Sequence, residues 1–115
     1  MIYILVGGPR SGKTRFLENV GITIVGSAYE AKVELDHSCE YGLNLAFDDY
    51  DHGVDQEKDG FVNDILCHHD IEVHRNWWFP SSGFNLFLCM NKEPDEATLL
   101  GSAAKDGKKA KIIRF

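Results

Sequence analysis

The residues with the clearest chemistry stand near the start of the chain. Gly7, Gly12, Lys13 and Thr14 meet the spacing G-x-x-x-x-G-K-[ST] within Gly7-Gly8-Pro9-Arg10-Ser11-Gly12-Lys13-Thr14. Such a spacing makes a phosphate-binding loop. Its glycines let successive backbone N–H groups turn inward around an anion, and the helix that follows adds partial positive charge at its N-terminus. The lysine reaches the terminal phosphates and the threonine hydroxyl sits on Mg²⁺. The loop from Gly7 to Thr14, including Gly8, Pro9, Arg10 and Ser11, is the expected nucleotide-binding segment. Lys13 is its catalytic cation and Thr14 a metal ligand.

Two further polar groups stand where apolar runs stop. Leu43-Asn44-Leu45-Ala46-Phe47 ends abruptly in Asp48-Asp49, which is how a buried parallel strand delivers carboxylates to the C-terminal edge of a sheet. Asp48 is expected to hold the Mg²⁺ shell and Asp49 to polarise the attacking water. Phe84-Asn85-Leu86-Phe87-Leu88-Cys89-Met90 ends at Asn91, placed to orient that water or to touch the terminal phosphate.

These residues need a sheet with their strand ends at one edge. Strands are expected at residues 2–6, 22–25, 43–47, 84–90 and 109–114, in a mainly parallel α/β sheet flanked by helices. A run of helix formers follows the loop at Arg15-Phe16-Leu17-Glu18-Asn19-Val20. Phe61 with Ile65 and Val62 with Leu66 repeat at helical spacing, and a short helix is expected over residues 96–104, weakened by Gly101. Residues 31–35 read as an extended segment, residues 53–60 as an acidic loop, and residues 70–80 as a β-hairpin turning at Arg75-Asn76. No internal repeat or low-complexity segment interrupts the chain.

With 115 residues the sequence has room for one domain, residues 1–115, with a core of its own. Apolar residues make up 43% and charged ones 26%, an ordinary globular balance, and the net charge of -6 argues against coating nucleic acid by bulk electrostatics. Acidic residues crowd positions 48–59, whereas Lys105, Lys108, Lys109, Lys111 and Arg114 make the C-terminal stretch basic. No apolar run approaches the ~20 residues of a membrane span. The first strand reaches Gly7 too soon for a signal peptide, so no membrane partner and a cytoplasmic location are expected. Cys39, Cys67 and Cys89 lack C-x-x-C spacing and are read as reduced thiols. Cys67-His68-His69, with His37 and Cys39, are ligand types, but adjacent helix residues point apart, so they are read as helix-end residues.

Taken together, the loop, Asp48-Asp49, the hairpin and Asn91 occur in an order that resembles the ATPase core of superfamily-three helicases, such as viral replication initiators, and more broadly AAA-type P-loop ATPases. The resemblance runs from about Ile2 to Pro94. It implies ATP as the nucleotide and Mg²⁺ as the metal, with Asn91 in the role called sensor one. It also implies a hairpin that grips single-stranded nucleic acid, with His74 and Arg75 at its tip and Trp77 or Trp78 stacking on bases. Nothing in the sequence corresponds to an origin-binding domain or a helical lid, so a minimal NTPase domain of viral or mobile-element character is expected rather than a processive helicase. Its compartment would then be the host cytoplasm. The second reading is a nucleotide-dependent binding module, or an inhibitor of a larger ATPase with little turnover of its own. A small-molecule kinase is a third, disfavoured by the lack of an arginine-rich lid. The arginines are only Arg10, Arg15, Arg75 and Arg114, so a homo-oligomer or a larger ATPase partner is expected to supply the positive charge that phosphoryl transfer needs.

Overall fold

Ile2, Ile4 and Val6 of strand β1 (Ile2–Val6) pack into one apolar cluster, while Leu5 packs into another on the opposite face. That alternation is the period of a strand with both faces covered. The same division holds in β3 (Asn44–Phe47), where Leu45 and Phe47 face one way and Ala46 the other, and in β6 (Asn85–Met90), where Leu86, Leu88 and Met90 oppose Cys89. The computed structural model describes residues 1–37, 43–73, 76–80 and 83–115. With β2 (Thr23–Val25) and β7 (Ala110–Arg114), these strands form a five-stranded sheet in the order β2-β3-β6-β1-β7, with every pairing parallel.

Helices cover the two faces unequally. Helix α1 (Lys13–Asn19) sets Leu17 against Leu5, Ala46 and Cys89 on one side. On the other lie α2 (Ala28–His37), α3 (Gln56–Leu66) and α4 (Leu99–Asp106), which contribute Ala31, Leu35, Phe61, Val62, Ile65 and Leu100 to the larger cluster. Strands β4 (Ile71–Val73) and β5 (Asn76–Trp78) form a separate antiparallel pair within the expected hairpin segment. The proposed tip residues His74 and Arg75 lie outside the described residues.

Three local expectations are corrected. Residues 31–35 are helical, because Ser27 and Glu30 build the helix start. Glu30 N–H donates to Ser27 Oγ at 3.1 Å, and the Glu30 carboxylate accepts from Gly26 N–H at 2.8 Å. This is close to a capping box, and Ala28, Ala31 and Leu35 then fall on one buried face. The acidic loop ends early, because Asp55 caps α3 by accepting from Glu57 N–H and Lys58 N–H. The last helix begins at Leu99 rather than residue 96, capped by Thr98, whose hydroxyl accepts from Gly101 N–H at 3.1 Å.

Gly101 is more than a weak helix former. A Cβ there would lie 1.9 Å from the Asp95 carbonyl oxygen, so the turn before α4 closes only over a hydrogen. Gly60, inside α3, has nothing within 4 Å of the same position. The two substitutions are therefore expected to have opposite signs in urea melts. Gly101→Ala should destabilise by about 1–3 kcal/mol through overpacking, and Gly60→Ala should stabilise by about 0.5–1 kcal/mol. Equal effects would contradict the close approach at Gly101.

Candidate functional site

Parallel register carries the candidate residues to one edge. Val6 pairs with Met90, so the chain leaves β1 at Gly7 beside the point where it leaves β6 at Asn91. Phe47 pairs with Leu88 of the same central strand, which puts Asp48 just below that level on the other side. β6 thus stands between the loop strand and the acidic strand.

The loop itself has an unusual backbone. Arg10 and Gly12 both have positive φ, 64° and 95°. Breaking the regular turn twice in three residues is the kind of geometry that makes a concave nest of N–H groups. For Arg10, with its Cβ, the left-handed conformation costs of order 1 kcal/mol. Gly7 must lack a side chain because a Cβ would meet Ser11 Oγ at 2.6 Å. That serine hydroxyl is buried with no hydrogen-bond partner among the described residues. Helix α1 has seven residues and no side-chain cap at Gly12, so its field is weaker than a long helix would supply. Positive charge comes instead from side chains.

Lys13 is held by all the acceptors its ammonium can use. It donates to the Gly7 carbonyl, to the Met90 carbonyl at 3.0 Å and to Asn91 Oδ1 at 3.1 Å. The lysine therefore bridges the ends of β1 and β6. Because Asn91 Oδ1 accepts from Lys13, the other end of its amide is a donor. From the first turn of α1, Thr14 Oγ1 donates to Asp48 Oδ1, just past the end of β3, at 2.8 Å. Two hard oxygen donors side by side suit Mg²⁺, whose ligands are oxygens and whose shell is completed by phosphate and water.

Pro9, Arg10, Ser11, Gly12, Lys13, Thr14, Arg15, Asp48 and Asn91 line a cavity of about 430 Å³. Its named charges are three cations against one carboxylate, which favours an anionic ligand. Asp49 lies elsewhere. It borders an adjoining cavity of about 380 Å³ with Tyr50, Asp51, His52 and the segment from Met90 to Asp95, and Asn91 lines both cavities. The Asp49 carbonyl accepts from Lys58 Nζ at 3.0 Å, which fixes the strand end.

Of the proposed nucleic-acid residues that are described, Trp77 and Trp78 do not line the cavity of about 430 Å³. Neither β4 nor β5 contributes to its lining. Trp77 is 61% exposed, as is its neighbour but one, Phe79, at 63%, whereas Trp78 packs edge-on against Phe84 with centroids 5.0 Å apart. Arg114 forms an ion pair with Glu93 of the same chain. Among the described residues, no group of three or more His, Cys, Asp and Glu side chains is arranged to hold a metal, and Cys67 is the C-cap of α3. No helix among the described residues is long and apolar enough to cross a membrane.

Sequence reasoning passed over one polar cluster. Tyr50 Oη donates to Asp59 Oδ1 at 2.7 Å, His52 Nδ1 lies 2.9 Å from Tyr50 Oη, and Gly53 N–H donates to Asp59 Oδ2 at 2.9 Å. Burial, then the hydrogen bond to Asp59, pushes the Tyr50 hydroxyl well above the usual tyrosine range. The cluster was hidden because Asp59 sits in an acidic run that reads as a solvated face. Asp55 ahead of Gln56 was the signal that a helix starts there and turns Asp59 inward.

Compared with models of protein families, with curated proteins and with solved structures, the chain matches none of them.

Cys89 lies under this edge, and burial, with a smaller contribution from Asp48, raises its thiol from 9.0 to about 11. A raised value in the folded state means that its stabilising effect is complete below pH 9 and is lost as pH rises through 11. Stability should therefore fall across that window, and less steeply in Cys89→Ala. Urea midpoints measured against pH test this; equal slopes in parent and variant would contradict it.

Proposed function

We propose that the chain binds a nucleoside triphosphate, ATP, with Mg²⁺ at the loop from Gly7 to Thr14 and hydrolyses it. The observation that carries this reading is the convergence of Lys13, Asn91 and the Thr14–Asp48 pair on one cationic cavity. A repeated glycine spacing alone would make a turn. A lysine bridging two strand ends beside a threonine-carboxylate pair makes a place for a phosphate chain and its metal.

In this reading the loop amides hold the phosphates and Lys13 exchanges one of its three acceptors for a phosphate oxygen, while Thr14 and Asp48 would provide metal ligands. The metal would neutralise charge on the phosphate oxygens. Asn91, whose amide donor is left over by its bond to Lys13, contacts the terminal phosphate or the attacking water. Asp49, in the adjoining cavity, orients that water. The exposed Trp77 and Phe79 offer ring faces to single-stranded nucleic acid, at a distance from the phosphate cavity. A second reading, a nucleotide-dependent binding module with slow turnover, is favoured by one observation. Arg114 is engaged by Glu93 in its own chain, so a transferring phosphoryl group lacks that arginine unless a second copy or a larger ATPase supplies one.

Purified protein titrated with Mg-ATP and assayed for phosphate release tests the proposal. Lys13→Ala should abolish measurable triphosphate binding, a loss of at least about tenfold for a charge-assisted contact, while the folded structure persists. Unchanged affinity would remove the phosphate-loop assignment. Asp48→Asn should weaken the Mg²⁺-dependent part of binding, and Asp49→Asn should leave binding near the parent's while slowing hydrolysis. Hydrolysis at the parent's rate in both variants would reduce Asp48-Asp49 to a strand end.

A further inference from the structure

The loop after β3 carries a histidine whose geometry goes beyond what loop closure needs. Tyr50 is anchored by its N–H to the Cys89 carbonyl at 3.0 Å, and its ring stacks on Phe47 with centroids 6.4 Å apart. The single proton of its hydroxyl goes to Asp59. His52 Nδ1 then sits 2.9 Å from a Tyr50 oxygen that can only accept and 3.3 Å from Asp59 Oδ1. Two acceptors facing Nδ1 require that it carry the hydrogen, so in the neutral imidazole Nε2 keeps its lone pair. Asp59 is held on both oxygens, with Gly53 N–H on the second. Tyr50 and Gly53 also tie the loop to Asp59, and the contacts at Nδ1 fix the imidazole while leaving Nε2 outside this network.

The His52 side chain is 32% exposed and lines the cavity of about 380 Å³ together with Asp49 and Asn91. Asn91 is shared with the phosphate cavity, so the two spaces meet at the residue that contacts Lys13. A bound water takes about 30 Å³, and this space is in the range of small-molecule sites, about 300–1,000 Å³. The charged and titratable groups around the imidazole are Tyr50 and Asp51 on its own loop, Asp59 from α3, Asp49 at the strand end, and Lys92, Glu93 and Asp95 across the cavity.

We infer that His52 is the general base for phosphoryl transfer, acting on an oxygen nucleophile seated in the cavity beyond Asn91; this rests on the phosphate-site reading proposed above. Nε2 takes the proton of the attacking O–H as that oxygen bonds to the γ-phosphorus. The bond from γ-phosphorus to the bridging oxygen breaks, and its electron pair leaves with the diphosphate. The imidazolium then returns its proton to solvent. Asp49 orients the nucleophile while His52, whose Nδ1 is engaged by Tyr50 and Asp59, deprotonates it through Nε2. Water gives inorganic phosphate, and an alcohol gives a phosphate ester.

The test uses the full chain with γ-labelled Mg-ATP in single turnover, with and without glycerol as an alcohol probe. His52→Ala should bind ATP like the parent and turn over about 10²–10⁴-fold more slowly, with part of the rate restored by imidazole in solution. His52→Gln should be equally slow at every pH, losing the acid limb of the parent's profile. Labelled phosphate and labelled glycerol ester would each support the base role when they depend on His52, the ester placing an alcohol in the cavity. A His52→Ala protein as fast as the parent, or a slow one that imidazole does not rescue, overturns the inference. A parent that binds ATP but releases no label overturns it too while leaving the phosphate site standing. A parent that binds no ATP overturns the underlying reading as well.

Discussion

The site depends on where three parallel strands stop. β1 and β6 run in register to Val6 and Met90, and β3 pairs with the far side of β6 up to Phe47. Each strand is apolar to its last residue and then changes character at once, to Gly7, Asn91 and Asp48. Burial of the strand ends keeps them in register, because slipping one residue would exchange the apolar sets of the two faces. The polar residues that follow are thereby carried together without needing strong contacts among themselves. Lys13 ties the arrangement across, since Met90 O accepts from both Gly7 N–H at 3.1 Å and the lysine ammonium.

The edge so formed is divided by charge. On the loop side, Arg10, Lys13 and Arg15 face a single carboxylate, Asp48. Across Asn91, Asp49 and Asp51 meet His52, with Lys92 as the lone named cation of Lys or Arg type. An anion is favoured on one side and a neutral or cationic group on the other. Asn91 is the boundary, and Tyr50, with its amide on the Cys89 carbonyl, binds the acidic side to the same strand.

Much of the sheet is legible in the sequence. β1, β3 and β6 are largely apolar runs that stop at a glycine or a polar residue, β2 is a short β-branched run between Gly21 and Gly26, and the loop has a spacing that few alternatives satisfy. The misreadings concern helix starts. Residues 31–35 alternate well enough for a strand, and only Ser27 with Glu30 reveals the cap that makes them helical. Asp55 hides its capping role in a stretch of carboxylates. Gly101 looks like a helix weakness until the carbonyl of Asp95 is seen against its hydrogen. The Tyr50–His52–Asp59 cluster was not legible at all, because it joins a loop to a helix turn whose facing depends on that hidden start.

The most direct measurement is backbone amide chemical shift mapping of the protein with Mg-ATP added in steps. The account predicts saturable shifts at Gly8, Arg10, Ser11, Gly12, Lys13, Thr14, Asp48 and Asn91, with Leu99 and Lys109 unmoved. Shifts confined to other surfaces, or none at millimolar nucleotide, would contradict the claim that this sheet edge is a triphosphate site.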